Sequence, residues 1–247
     1  MMVRLLLLSC AVFLLTACQN DGEAQPAPKF SGTMVLAMSW QPAFCETRPR
    51  VRECRNQRAG RFDTNHFALH GLWPQPRAEV YCGVSDAERQ RDERRRWRDL
   101  EGLGLTKDIQ QVLARVMPGT QSYLHRHEWV KHGTCYSTDP NVYYEDSLAL
   151  MAAVNASPVR DLFARSIGRR ITANQIRRAF DEAFGDGTGD RVAVSCKRDG
   201  RRQIITELTL ILKGPLTDAV DIGTMARAAP RRRARCPGGE VDRVGLQ

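Results

Sequence analysis

Three regimes of hydrophobic and polar patterning follow one another along the chain. Residues 1–17, MMVRLLLLSCAVFLLTA, carry a charge only at Arg4, continue as an apolar run and end in small residues before Cys18. That run is shorter than the roughly 20 apolar residues needed to cross a bilayer. A basic start, an apolar middle and a small-residue end predict an export signal instead. Residues 18–30 lose apolar periodicity and are rich in polar, proline and alanine positions, the composition of a tether. Periodic patterning occupies the remainder; 247 less the first 30 leaves 217 residues. That is enough for one sizeable core and short for two, and no long repeat is present.

Within this region, TMVLAMSW at 33–40 is an apolar run bounded by Gly32 and Pro42, which predicts a buried strand. FDTNHFALH at 62–70 predicts a second strand that stops at Gly71 and leaves His70 at its edge, a rigid mount beside an open loop. The highly charged stretch Ser85–Leu100 reads as an exposed helix started by Ser85 or Asp86, with its arginines on a solvated face. Helical spacing recurs at Ile109–Met117, Leu124–Cys135, Tyr143–Asn155 and Ile171–Phe184, the last with Thr172 as a cap. Two β-branched runs, Arg191–Lys197 and Gln203–Lys213, are separated by Arg198-Asp199-Gly200 and predict a hairpin. Residues 226–237, ARAAPRRRARCP, read as a basic loop. Locally paired strands mixed with helices indicate an α+β domain, an antiparallel sheet with packed helices, over a parallel α/β one.

Cysteine usage strengthens the export reading. Of eight cysteines, Cys10 and Cys18 fall in or at the signal, leaving Cys45, Cys54, Cys82, Cys135, Cys196 and Cys236. An even number in an exported chain points to disulfide bonding, although spacing alone does not select the pairs. Leu15-Thr16-Ala17-Cys18 resembles a lipobox, so Cys18 is a candidate for lipidation and membrane attachment. The expected location is the periplasm or an outer-membrane anchor, with soluble secretion as the alternative. A structural zinc site is disfavoured because no cysteine pair has the tight spacing such sites use. The formal net charge of +9 favours polyanionic partners, nucleic acid or anionic membrane surfaces, without specifying one.

Candidate chemistry concentrates in two segments. All five histidines lie in or beside FALHGLWPQ at 67–75 and HRHEWVKHGTC at 125–135: His66, His70, His125, His127 and His132. On a helix, Lys131 falls beside His127 and His132 beside Glu128, with Trp129 and Val130 turned to the core. The zinc-peptidase pattern H-E-x-x-H fails because position 131 is lysine, whose ammonium repels a metal ion. No G-x-S-x-G elbow is present, and the cysteines are better used in disulfides than as nucleophiles. Several histidines, a lysine and a carboxylate without a nucleophile suit RNA, which brings its own in the 2′-hydroxyl. One imidazole removes that proton and another protonates the leaving 5′-oxygen, each contributing about 10²–10⁴ in rate.

HGLWPQ at 70–75 and HEWVKHGTC at 127–135, with SWQPAFC at 39–45 upstream, resemble the ribonuclease T2 family of exported acid endoribonucleases. The resemblance spans residues 33–213 and implies a disulfide-bonded α+β fold. It implies His132 as general base, His70 as general acid, His127 as phosphate ligand, and Glu128 with Lys131 stabilising the pentacovalent transition state. Products would be 2′,3′-cyclic phosphates, slowly hydrolysed to 3′-phosphates, with neither metal nor organic cofactor. Trp73 and Tyr81 resemble a base-stacking pocket. Gln75 stands where many members carry an aspartate, which implies little base selectivity. His66, placed on the same side of a strand as His70, and His125 match no family role and read as structural. The family pattern implies the pairs Cys45–Cys54, Cys82–Cys135 and Cys196–Cys236. Single-stranded RNA is the expected partner, no obligate protein partner is implied, and a monomer is expected. The competing reading is a basic RNA-binding envelope lipoprotein without turnover; a pure binder has no need of both His70 and His132.

Overall fold

The computed structural model describes residues 30–217, 219–233 and 236–247. The expected signal, Cys18 and the tether as far as residue 29 lie outside the described residues. Phe30, the last residue of the expected tether, is part of the domain and stacks on Tyr136 at 5.0 Å between ring centroids.

The first strand, β1 (Thr33–Ser39), buries Met34, Leu36 and Met38 on one face, as its apolar run requires. Two short helices follow, α1 (Gln41–Thr47) and α2 (Arg52–Arg55), joined by the Cys45–Cys54 bridge. The second strand, β2 (Ala68–Pro74), starts later than expected and runs on through Gly71. Phe62–Thr64 instead forms a single tight turn, where the Arg61 guanidinium grips Asp63 through two hydrogen bonds of 2.9 and 2.8 Å. His70 is therefore inside a strand, and His66 precedes that strand rather than sharing a face with His70.

The charged segment also divides. α3 (Asp86–Glu93) is capped by Ser85, whose hydroxyl accepts from the Glu88 amide. It ends before Arg95, which adopts a left-handed backbone with φ 57°, and Trp97–Asp99 makes a separate turn. α4 (Lys107–Val116) is capped by Thr106. α5 (Leu124–Lys131) stops before His132, and Gly133–Cys135 tightens into a turn where Cys135 is bonded to Cys82. α6 (Pro140–Asn155) and α7 (Pro158–Arg165) carry Pro at the first helical position behind Asp139 and Ser157 caps. After β3 (Arg170–Thr172), α8 (Ala173–Phe184) has the expected Thr172 cap, completed by Gln175 into a capping box. The hairpin is present as β4 (Val192–Asp199) and β5 (Arg202–Lys213), followed by α9 (Ile222–Ala228) and β6 (Gly238–Glu240).

These strands make one sheet in the order β2-β1-β5-β6-β3, with β4 also paired to β5. Pairing is antiparallel except between β5 and β6, at Ile204 and Glu240, so the sheet is mixed rather than wholly antiparallel. The exception arises because the chain returns past β4, to which Cys236 is tied through Cys196, and adds a short final strand. One sheet face carries the main core: Leu36, Leu208 and Leu210 pack with α4, α6, α7 and α8 around Trp40, Phe67 and Phe163. The opposite face carries a small apolar cluster, Val35, Ile211 and Ala229 with Trp73 against it. Ser195, Glu207 and Thr209 bring polar side chains to that face, which forms the floor of a cleft.

Candidate active site

Register places the first histidine. Ala37 pairs with Gly71 and Met38 with Leu69, so His70 is the extra residue of a β-bulge. A bulge re-aims one side chain without dissolving the strand. β2 is an edge strand, and its outward backbone groups are occupied: Leu72 N–H donates to the Tyr143 hydroxyl at 3.2 Å, and that hydroxyl donates to Leu72 C=O at 3.0 Å. The Asn155 amide closes the same kind of pair on Phe67, at 2.9 and 3.0 Å. His70 is thus fixed on a satisfied edge.

His70 Nδ1 donates to Glu207 Oε2 at 2.7 Å, since a carboxylate can only accept. Its Nε2 lies 3.7 Å from Glu128 Oε1. Burial opposes protonation, but the Glu207 hydrogen bond and the charges of Glu128 and Glu207 outweigh it and raise the His70 pKa above its usual 6.5.

Glu128 projects from α5 into the fold and is 1% exposed. Trp73 Nε1 donates to its Oε2 at 2.8 Å, while Oε1 stands 3.9 Å from His127 Nε2. Gly71 makes this possible, because a Cβ there would collide with the Glu128 carboxylate and the Trp73 indole. Burial raises the Glu128 pKa, against the pull of His70, His127, the Trp73 hydrogen bond and Lys131.

His127 is also backed by a carboxylate. Its Nδ1 donates to Asp92 Oδ1 at 2.7 Å, and its ring stacks on Trp97 at 4.6 Å. Asp92 is 2% exposed and accepts the Tyr81 hydroxyl at 2.8 Å on its other oxygen.

His132 differs from both. It has left the helix, with φ −121°, although its N–H still donates to Glu128 C=O at 3.0 Å. Its Nδ1 is buried with no hydrogen-bond partner among the described residues. Burial first, then the charges of Lys131, His127, His70 and Arg77, push its pKa down to about 3. The two environments thus act in opposite directions on two imidazoles of the same space, favouring the protonated form of His70 and the neutral form of His132.

That space is a cleft of about 510 Å³ into which His70, His127, Glu128, Lys131 and His132 converge, with Trp73 and Gln75 on its wall. The Gln75 amide is turned to the backbone, donating to Trp73 C=O at 3.2 Å and Pro74 C=O at 3.0 Å. Tyr81 does not join Trp73. It lines an adjoining pocket with Asp92, Arg95 and Trp97, its hydroxyl committed to Asp92 and the Arg89 guanidinium 5.3 Å from its ring centroid. The Cys82–Cys135 bridge ties this loop to the turn after His132. All three bridges join the pairs that the family pattern implies.

His66 and His125 lie outside the cleft. His66 stacks on Phe62 at 4.0 Å with its Nδ1 2.7 Å from Asn65 Oδ1 and 3.1 Å from Phe62 C=O. His125 faces a separate pocket with Arg126, and burial lowers its pKa to about 4.

Asp92, Trp97 and Glu207 escaped the sequence reading. Asp92 is one acid among many in SDAERQRDERRRWRDL, and helical spacing does not mark it. Glu207 does leave a signal, as the lone carboxylate in the apolar run IITELTLIL.

Residues 31–222 match the profile of the Ribonuclease T2 family. Ribonuclease I of Escherichia coli is 28% identical over 214 residues, 75% of this chain and 76% of that protein. Ribonuclease 1 of Arabidopsis thaliana is 23% identical over 208 residues, 80% and 83% of the two chains. Among solved structures, RNase NT in complex with 5′-AMP superposes with a TM-score of 0.53 at 19% identity, covering 86% of this chain and 98% of that one. Japanese pear S3-RNase gives a TM-score of 0.52 at 15% identity, covering 86% and 99%. These structural likenesses fit the α+β fold, and the family match carries the assignment: the chain belongs to the ribonuclease T2 family of endoribonucleases.

Proposed function

We propose that this protein cleaves single-stranded RNA by metal-free transesterification, with His132 as general base and His70 as general acid. The carrying observation is the contrast between the two imidazoles of one cleft: His70 Nδ1 is backed by the Glu207 carboxylate, whereas His132 Nδ1 is buried without a hydrogen-bond partner among the described residues. His132 accepts the 2′-hydroxyl proton as the 2′-oxygen attacks phosphorus. The P–O5′ bond breaks, and the His70 proton passes to the departing 5′-oxygen. The product is a 2′,3′-cyclic phosphate; in the slower hydrolytic step water takes the place of the 5′-hydroxyl, the two imidazoles exchange tasks, and a 3′-phosphate forms.

Lys131 supplies positive charge to the phosphoryl oxygens as charge grows on them, and His127, oriented by Asp92 and Trp97, serves as a phosphate ligand beside it. Glu128 lies between His70 and His127 and holds both Nε2 atoms toward the reacting phosphate. Trp73 offers its ring to a base while its indole N–H fixes Glu128. Gln75 spends its amide on backbone carbonyls, which supports low base selectivity. Tyr81 contributes by supporting Asp92, with its ring in the adjoining pocket. The basic apolar start and Leu15-Thr16-Ala17-Cys18 support export with a lipid anchor on Cys18.

His70→Ala and His132→Ala should each lower kcat/KM on RNA by about 10²-fold or more. Full cleavage by either variant, with its fold intact, overturns the assignment of that histidine.

A further inference from the structure

The end of α3 places an unfavoured residue in a regular turn. Arg96 N–H donates to Arg91 C=O at 2.9 Å and Arg95 N–H donates to Asp92 C=O at 2.8 Å, the two bonds of a Schellman turn. The residue after the cap of such a turn is left-handed and is most often glycine, because a Cβ there crowds the backbone. Here that residue is Arg95, with φ 57°.

Two other non-glycine residues have positive φ among the described residues, Tyr81 and Tyr123, and both side chains have protein contacts. The Tyr81 hydroxyl donates to Asp92 at 2.8 Å, and the Arg126 guanidinium lies 5.1 Å from the Tyr123 ring centroid. The exposed Arg95 guanidinium has no hydrogen-bond or ion-pair partner among the described residues. Nearby carboxylates are engaged elsewhere: Glu93 accepts from Arg89 at 2.9 Å, Asp99 from Arg96 at 2.8 Å, and Glu53 from Ser122. The fold therefore gains no side-chain contact in return for this backbone strain, and strain of this kind gathers where ligands are held.

The position of Arg95 indicates the ligand. Two pockets of about 390 Å³ each adjoin the cleft, and His70, Arg95, Trp97 and Leu124 line both. One of the two also shares His127 and Lys131 with the cleft. Arg95 does not line the cleft itself, where the proposed chemistry puts the reacting phosphate. It stands on the ridge between the two pockets, on the side of the cleft where His70 opens into them.

We infer that Arg95 binds an RNA phosphate that flanks the scissile one, where the strand leaves the cleft past His70 and Trp97. The inference rests on the proposed cleavage of single-stranded RNA. A guanidinium presents paired donors to phosphate oxygens, and a backbone already fixed by the Schellman turn reduces the ordering lost on contact. The contact makes the enzyme favour a strand over an isolated dinucleotide.

The test uses two substrates with one cleavable bond each: a ribonucleotide joined to a deoxyribonucleotide, and the same pair flanked by three deoxynucleotides on each side. With kcat/KM measured in low salt, the wild-type protein should prefer the flanked substrate by roughly tenfold or more, the low end for one charge-assisted contact. Arg95→Gly should cut that preference by roughly tenfold, and Arg95→Lys should retain part of it. Arg94→Ala, which removes the same charge from an exposed neighbour outside both pockets, should keep it whole. Because glycine adopts the left-handed turn freely, Arg95→Gly should also keep the urea midpoint of the wild type, which separates the loss of preference from damage to the fold. A wild-type ratio near one, a ratio unchanged in Arg95→Gly and Arg95→Lys, or an equal loss in Arg94→Ala overturns the subsite. An Arg95→Gly midpoint well below wild type would assign the side chain to the fold and overturn it too. Wild-type protein that cleaves neither substrate nor polymeric RNA would overturn the proposed function, and the subsite with it.

Discussion

Replacing Glu207 by Gln removes one negative charge and keeps an acceptor in nearly the same place. The carboxylate accepts from His70 Nδ1 at 2.7 Å, so the contact is a charge-assisted hydrogen bond. Such bonds contribute about 1.5–3 kcal/mol, which is about one to two pKa units at 1.36 kcal/mol each. The two side chains are 35% and 24% exposed, so solvent screening reduces the effect toward about one unit. The protonated form of His70 is the working acid, and kcat/KM falls as pH rises through its pKa. Glu207→Gln should therefore move the basic limb of the kcat/KM profile down by about one unit. Above both limbs the variant should be slower by about tenfold, and between the acid and basic limbs the loss should shrink. The acid limb, set by His132 with its pKa near 3, should stay in place. The same interaction is linked to stability: the raised pKa of His70 contributes most below its unfolded value of 6.5, and that contribution fades as pH rises through the folded value. The assay is initial-rate cleavage of an RNA oligonucleotide from pH 3 to 9 with urea melts alongside. A basic limb that does not move, or a loss equal at every pH, would refute the tuning of His70 by Glu207.

Three further perturbations follow from neighbouring contacts. Asp92→Asn weakens the buried hold on His127 and Tyr81, and should raise KM roughly tenfold with a smaller change in kcat; an unchanged KM and unchanged inhibition by inorganic phosphate would contradict the phosphate-binding role of His127. Gly71→Ala drives a methyl group into the Glu128 carboxylate and should cost roughly 100-fold in kcat/KM and about 1–3 kcal/mol in urea-measured stability, whereas wild-type behaviour would mean that Glu128 has room elsewhere. Removing the Cys82–Cys135 bridge, which spans a sequence separation of 53, by the double substitution to Ser should lower stability by about 4 kcal/mol and lower cleavage with it; unaltered activity would separate the bridge from the site.

What the sequence could reveal depended on how local each constraint was. The reacting side chains were legible because HGLWPQ and HEWVKHGTC gather them into two short runs. The α8 cap was legible because Thr172 and Gln175 stand in the capping-box spacing. β2 was misplaced because its outer edge is satisfied from far away, by Tyr143 and Asn155, and because the bulge at His70 breaks the alternation that marks a strand. The helix expected over Ser85–Leu100 divides at Arg95, where the chain turns to lay Trp97 on His127, a contact between residues distant in sequence. Glu207 and Asp92 belong to the same class. Each acts on a histidine in another element, and only the assembled sheet and helices bring them within 2.7 Å.

The most direct measurement is incubation of the purified protein, disulfides intact and in excess EDTA, with an RNA oligonucleotide and with the same oligonucleotide carrying one 2′-deoxy position. Cleavage should occur at the ribose positions, leave 2′,3′-cyclic phosphate ends and spare the bond after the deoxy residue. Cleavage at the deoxy position, or activity abolished by the chelator, would contradict attack by the substrate's own 2′-hydroxyl between His132 and His70.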